Sequence, residues 1–154
     1  MRPDVGDAYR ACAAELIRYA TVIVGASDAQ DVVSDAVLGA FTTENWDAVE
    51  NQRAYLFRAV LNRATSHQRS SARRRRREER AFNGETEGAP PDASSIDAHR
   101  ALARLSRQQR AVVYLTYWDD LSPAQVSALL EVSEGTVKKQ LARAREQLRR
   151  ILDA

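Results

Sequence analysis

Two helix-start signals only eleven residues apart, Ser122-Pro123-Ala124-Gln125 and Ser133, constrain this chain more than any other feature. The first places a Ser at the cap, a Pro at the first helical position and a Gln at the third, so that side chains satisfy the free amides of a new helix. Val126, Leu129 and Leu130 supply that short helix with an apolar face. The turn Glu131-Val132-Ser133 follows, and Ser133 is placed to cap a second helix. At 100° per residue, Leu141, Ala144, Leu148 and Ile151 all fall within about 40° of Val137, giving a stripe to bury. Lys138, Lys139, Ala142 and Arg143 point the other way.

A short capped helix, a three-residue turn and a basic second helix form a helix-turn-helix whose second helix fits a major groove. On it, Lys138, Lys139 and Arg143 can donate to guanine acceptors or phosphates, Gln140 can pair with adenine edges, and Thr136 can hold a phosphate beside the terminal amides. Glu131 stands where such turns favour Gly, because the left-handed backbone costs other residues about 1 kcal/mol.

The same helical period runs upstream. Tyr9, Cys12, Ala13, Leu16, Ile17, Ala20, Ile23 and Val24 predict a helix over residues 8–24 that Gly25 ends. Ser27 and Gln30 suggest a capping box for the next helix, with Val32, Val33, Ala36, Val37, Ala40 and Phe41 on its inner face. Residues 42–51 lose the period around Trp46 and read as a loop. A third helix runs from Gln52 into the arginines with Ala54, Phe57, Val60, Leu61 and Ala64 inward, and further helices span 96–105 and 107–118. No alternating strand pattern stands out, so the expected fold is all-α.

Charge divides the chain. Residues 1–50 carry a net −6, 51–80 carry +8, 81–97 carry −4 and 98–154 carry +4. Two basic blocks suit a polyanion, and the acidic head suits another partner. Gly, Pro, Ser and acids collect between Ala81 and Ser95, where Pro90-Pro91 stops any helix. The expected organisation is a three-helix domain over 1–80, a flexible acidic linker over 81–95 and a helix-turn-helix domain over 96–154, with both open and clamped arrangements available.

Several function classes fall away. No apolar run approaches the roughly 20 residues needed to span a bilayer, and the acidic N-terminus is unlike a signal peptide, so a cytoplasmic protein without membrane insertion is expected. Cys12 is the single cysteine and fits an apolar helical position. His67 and His99 lack metal-ligand spacing and no phosphate-binding Gly loop occurs, so neither a metal, a cofactor nor catalysis is expected.

The stretch LARLSRQQRAVVYLTYWDDLSPAQVSALLEVSEGTVKKQLARAREQLRRIL resembles region 4 of the extracytoplasmic-function sigma factors of the sigma-70 family. Its matching residues include Gln109-Arg110, Asp120-Leu121-Ser122, Gly135-Thr136-Val137-Lys138 and Arg143 to Leu148. Asp31 to Val37 and Ala54 to Asn62 resemble region 2 of the same family. Ser34, Asp35, Ser106 and Glu131 depart from the family's usual Gln, Glu, Pro and Gly.

The resemblance implies a factor that binds core RNA polymerase and directs it to promoters. Asp31, Ser34, Asp35 and Leu38 would meet the clamp helices of the largest subunit, and the C-terminal domain would dock on the flap. The third helix would read the minus-ten element through Asn62 and Ser66, with Trp46 near a flipped-out base and Arg69, Arg73 and Arg74 on phosphates. The helix from Gly135 would read the minus-thirty-five element. The acidic linker would run through the polymerase cleft, and an anti-sigma protein is a further partner the family admits. The competing reading is a dimeric helix-turn-helix regulator outside the polymerase complex. It would need a dimer seam or ligand pocket in the N-terminal half, where the sequence instead places an acidic and a basic helix.

Overall fold

The computed structural model describes residues 4–70 and 100–153, with side chains throughout except at 67–70. Among the described residues the secondary structure is helical and contains no strand. Helices α1 (Val5–Val24), α2 (Ala26–Phe41) and α3 (Gln52–Ser70) form the N-terminal unit. Helices α4 (Arg107–Tyr117), α5 (Pro123–Leu130) and α6 (Glu134–Asp153) form the C-terminal one, preceded by a helical stretch at 100–103.

In the N-terminal unit, Leu16, Ala20 and Ile23 of α1 meet Val32, Val33 and Ala36 of α2 and Leu56, Phe57 and Val60 of α3, all essentially removed from water. Asp4 caps α1 by accepting from the Asp7 amide at 2.7 Å. Gly25 both ends α1 and begins α2, at φ 89°, a left-handed value that only Gly adopts without cost. The Ser27 and Gln30 box expected there does not form: α2 starts at Ala26 with no side-chain cap, so Ser27 already lies inside the helix and is exposed. Phe41, expected inward, is 59% exposed because the inner face of α2 ends at Ala40.

The C-terminal unit follows its sequence signals closely. Ser122 and Gln125 form the reciprocal capping box, with Gln125 N to Ser122 Oγ at 3.2 Å and Ser122 N to Gln125 Oε1 at 2.8 Å. Ser106 and Gln109 build a second one at the head of α4. Val137, Leu141 and Ala144 are buried, whereas Leu148 and Ile151 only half leave solvent.

The two units are clamped together. Their buried side chains make one continuous core, in which α4 packs on α1 and α3, and α5 packs on α3. Tyr19 of α1 lies at the junction, its ring 4.9 Å from Phe57 and 5.4 Å from Tyr114.

Candidate nucleic-acid and partner interfaces

The helix-turn-helix is built around a left-handed residue. Glu131 sits at φ 57°, ψ 43°, and its amide closes α5 by donating to the Ser127 carbonyl. The Ser127 hydroxyl then donates to Val132 O at 2.6 Å, which locks the turn. Ser133 caps α6, accepting from the Thr136 amide at 3.0 Å, and its hydroxyl lies 2.8 Å from Thr136 Oγ1. Asp120, at φ 53°, is a second left-handed residue on the other side of α5.

On α6, Lys138, Lys139 and Arg143 are exposed, so three cations line the face away from the core. Lys138 is 3.4 Å from Glu134 one turn earlier, a surface pair that a phosphate could displace. Gln140 differs from these. It is half-buried and donates to Gln108 Oε1 of α4 at 3.1 Å, because it lies about 60° from Val137 on the flank of the buried stripe. Tyr117, 50% exposed, accepts at 2.6 Å from Arg145, whose guanidinium also lies over the ring.

On α3, Asn62 and Ser66 are both exposed and lie one turn apart, with Arg63 beside them on the surface. Arg69 belongs to the same helix, but its side chain, like Arg73 and Arg74 altogether, lies outside the described residues. Trp46 does not stand open to a base. It is 7% exposed in a short helical turn (Trp46–Ala48), with its ring edge-on to Tyr55 at 5.4 Å. Burying that large ring holds the loop against α3, which the loss of helical period had concealed.

Along α2, Asp31, Ser34, Asp35 and Leu38 are all exposed, and Phe41 joins them. At 100° per residue, Phe41 falls about 20° from Ser34, so the stripe runs from acids at its start to Leu38 and Phe41 at its end. Two large apolar side chains, 62% and 59% exposed and one turn apart, form a patch that the fold itself does not use. The angular signal for Phe41 was present in the sequence but was outvoted by its hydrophobicity.

Four further residues matter that sequence reasoning passed over. Arg53 of α3 reaches Glu15 at 2.5 Å and Asp119 at 3.1 Å, bridging the two units while lying over the Phe57 ring. Burial disfavours its charge, but the hydrogen bonds to the two carboxylates more than offset this and raise its pKa. Arg58 reaches Glu131 at 3.3 Å and the Leu129 carbonyl at 3.4 Å. Arg107 and Arg110 donate to the Ala64 and Ile23 carbonyls of the N-terminal unit. Burial also pushes the Cys12 thiol up, away from reactive thiolate, and no group of three metal-ligating side chains occurs among the described residues. None of the described helices is long and apolar enough to cross a membrane.

Two helical units, each with a polar and basic helix turned outward, one of them the second helix of a helix-turn-helix, define a DNA-binding protein. Residues 8–75 match the Sigma-70 region 2 family and residues 95–148 match Sigma-70, region 4. The RNA polymerase sigma-E factor of Streptomyces coelicolor is 36% identical over 135 residues, covering 82% of this chain and 73% of that protein. The ECF RNA polymerase sigma factor SigL of Mycobacterium tuberculosis is 34% identical over 145 residues, covering 89% and 82%. Among solved structures, the sigma factor RpoE in complex with the anti-sigma factor NepR from Bartonella quintana superposes with a TM-score of 0.66 at 24% identity, over 95% of this chain and 94% of that one. CnrH in complex with the cytosolic domain of CnrY gives 0.65 at 22%, over 97% and 87%. The chain belongs to the extracytoplasmic-function sigma factors of the sigma-70 family.

Proposed function

We propose that this chain binds core RNA polymerase and directs it to specific promoters, reading a minus-ten element with α3 and a minus-thirty-five element with α6. The observation that carries the reading is the α2 stripe. Asp31, Ser34, Asp35, Leu38 and Phe41 make a continuous exposed surface that DNA would repel at its acidic end and that a basic, partly apolar protein surface fits. The family matches span both units, which a dimeric regulator outside the polymerase complex does not account for.

In this reading, Lys139 and Arg143 contact bases or phosphates in the upstream element, Lys138 exchanges Glu134 for phosphate, and Thr136 sits where the α6 amides meet the backbone. Gln140 positions α6 on α4 through Gln108 rather than reading a base. Asn62 and Ser66 offer donors and acceptors to exposed base edges of the downstream element, with Arg69, Arg73 and Arg74 on phosphates. Trp46 supports that site from beneath. The chain acts as a non-enzymatic factor in the cytoplasm, with RNA synthesis left to the polymerase, and an anti-sigma protein is its natural antagonist. The division into a 1–80 domain, an 81–95 linker and a 96–154 domain belongs to the same proposal.

The test is reconstitution of the full chain with core polymerase on a promoter library. The reading expects initiation at defined start sites, with Lys139→Ala plus Arg143→Ala lowering upstream-element recognition at unchanged core binding, and Leu38→Ser plus Phe41→Ser doing the reverse. A chain that binds promoter DNA alone as a dimer and ignores core polymerase would replace this reading with the regulator.

A further inference from the structure

The seam between the two units is held differently from the interior of either. Two arginines of α3, five residues apart, each reach across it to an acid of the C-terminal unit: Arg53 to Asp119 and Arg58 to Glu131. Both acids sit at bends that flank α5, Asp119 just before left-handed Asp120 and Glu131 at its own left-handed position. Glu131 is therefore a non-Gly residue in a conformation that costs it about 1 kcal/mol. Its carboxylate, 67% exposed, contacts Arg58 of the other unit.

Beneath these pairs lies an independent sign that the seam is not optimised to stay shut. The Tyr19 hydroxyl is completely buried against Phe57 and Tyr114 and has no hydrogen-bond partner. A hydroxyl so placed regains water only when the units part, so the seam's core favours opening at this point while its ionic rim favours closure. Between the rim pairs, an open groove of 660 Å³ is walled by Tyr55 and Arg58 on one side and by Gln125, Leu129 and Glu131 on the other, which gives solvent and ions access to Arg58.

We infer that Arg53–Asp119 and Arg58–Glu131 form an ionic latch that holds the free chain in a closed, promoter-incompetent state, with Glu131 as the residue that gives this chain its second point of closure. The functional half of the inference rests on the reading proposed above. A compact chain of 154 residues has a radius of gyration of about 15 Å, whereas 25 base pairs of duplex run about 85 Å. A closed chain cannot lay α3 and α6 on elements that far apart. The 29 residues between Ser70 and Arg100 can bridge at most about 100 Å, so the connecting chain is long enough for the units of an opened molecule to reach both elements. Each pair is partly exposed and weak, which makes the latch sensitive to salt and to any surface that competes for Arg53 or Arg58.

The test is single-molecule energy transfer on the full chain, labelled at Glu44→Cys and Arg149→Cys in a Cys12→Ala background, with the open fraction counted directly. Glu131→Gly combined with Arg53→Gln is expected to raise the ratio of open to closed molecules about tenfold at low salt, with the far-ultraviolet helix signal unchanged. Glu131→Gly relieves backbone strain, so loss of fold does not obscure the result. Arg58→Glu alone should open the chain and Arg58→Glu with Glu131→Arg should close it again. Core polymerase should bind the opened variant three- to tenfold more tightly. An open fraction that stays within twofold of the parent in the first variant, or a charge swap that fails to restore closure, overturns the latch. Because the distance measurement contains no polymerase, a chain that opens as expected but never binds core leaves the latch standing and removes the sigma reading instead.

Discussion

The interior of the N-terminal unit and the seam between the units are both buried, yet they are made of different chemistry. The interior is almost wholly apolar: Leu16, Ile23, Val32, Leu56 and Val60 interlock, and Asp28 is the one buried charged side chain among the described residues. The seam places Tyr19, Phe57 and Tyr114 under a rim of arginines that reach carboxylates and carbonyl oxygens of the opposite unit. Apolar burial is strong and indifferent to salt, while partly exposed ion pairs are weak and screened. The contrast teaches that the interior answers to changes in packing, whereas the rim of the seam answers to charge and salt.

The largest effect should come from attacking the interior. Leu16→Ala is expected to destabilise the chain by about 3 kcal/mol, since a fully buried Leu leaves both lost transfer energy and a cavity. Chemical denaturation measures this, and a loss near zero would mean that α1 is not the keystone of its unit.

Alkaline pH should act on the seam. Burial raises the Tyr19 hydroxyl pKa far above its ordinary value of 10.0, and it raises that of Tyr114 in the same direction. A raised folded-state pKa means that the full stability is present below the unfolded value and is lost as pH climbs above it. Stability should therefore hold to about pH 10 and then fall by up to about 1.4 kcal/mol per pH unit through the Tyr19 hydroxyl, with Tyr114 acting in the same direction. In Tyr19→Phe that decline should shrink, which titration by circular dichroism would record.

At neutral pH the same Tyr19→Phe change should stabilise the closed form by about 1–2 kcal/mol, because it removes a buried hydroxyl without a partner and keeps the ring. A thermal midpoint that drops would place an unseen acceptor at this hydroxyl. Arg53→Gln should cost about 1 kcal/mol at low salt and much less at high salt. Leu16→Ala should show no such salt dependence, and a salt-independent Arg53 effect would blur the distinction between the two interfaces.

The smallest effect is expected on the surface patch. Phe41→Ser should change stability by no more than about 0.5 kcal/mol despite removing an aromatic ring, since that ring is 59% exposed. A large loss would show that Phe41 belongs to the interior after all.

The elements that were legible in the sequence are those whose cause is local. Ser122 with Gln125, the cap at Ser133, the left-handed turn at Glu131 and the break at Gly25 depend on a few neighbouring backbone groups, so their residues announce them. The apolar stripe of α6 and the exposed acids of α2 follow from helical period alone. Errors arose where two local signals competed. Ser27 and Gln30 imitate a cap inside α2, Phe41 imitates a core residue at its end, and Trp46 imitates an open loop aromatic while lying buried on Tyr55.

By itself, then, the sequence determined a helical chain with two outward-facing basic or polar helices, a helix-turn-helix and an acidic head, because periodicity, caps and charge are written in consecutive residues. Only the tertiary structure decided that the two units close on each other, that Gln140 turns to Gln108, and that Arg53 and Arg58 bridge to Asp119 and Glu131. Those partners lie 66 and 73 residues apart in the chain. An arginine's reach across such a distance depends on how whole helices pack, and no run of neighbouring residues records it.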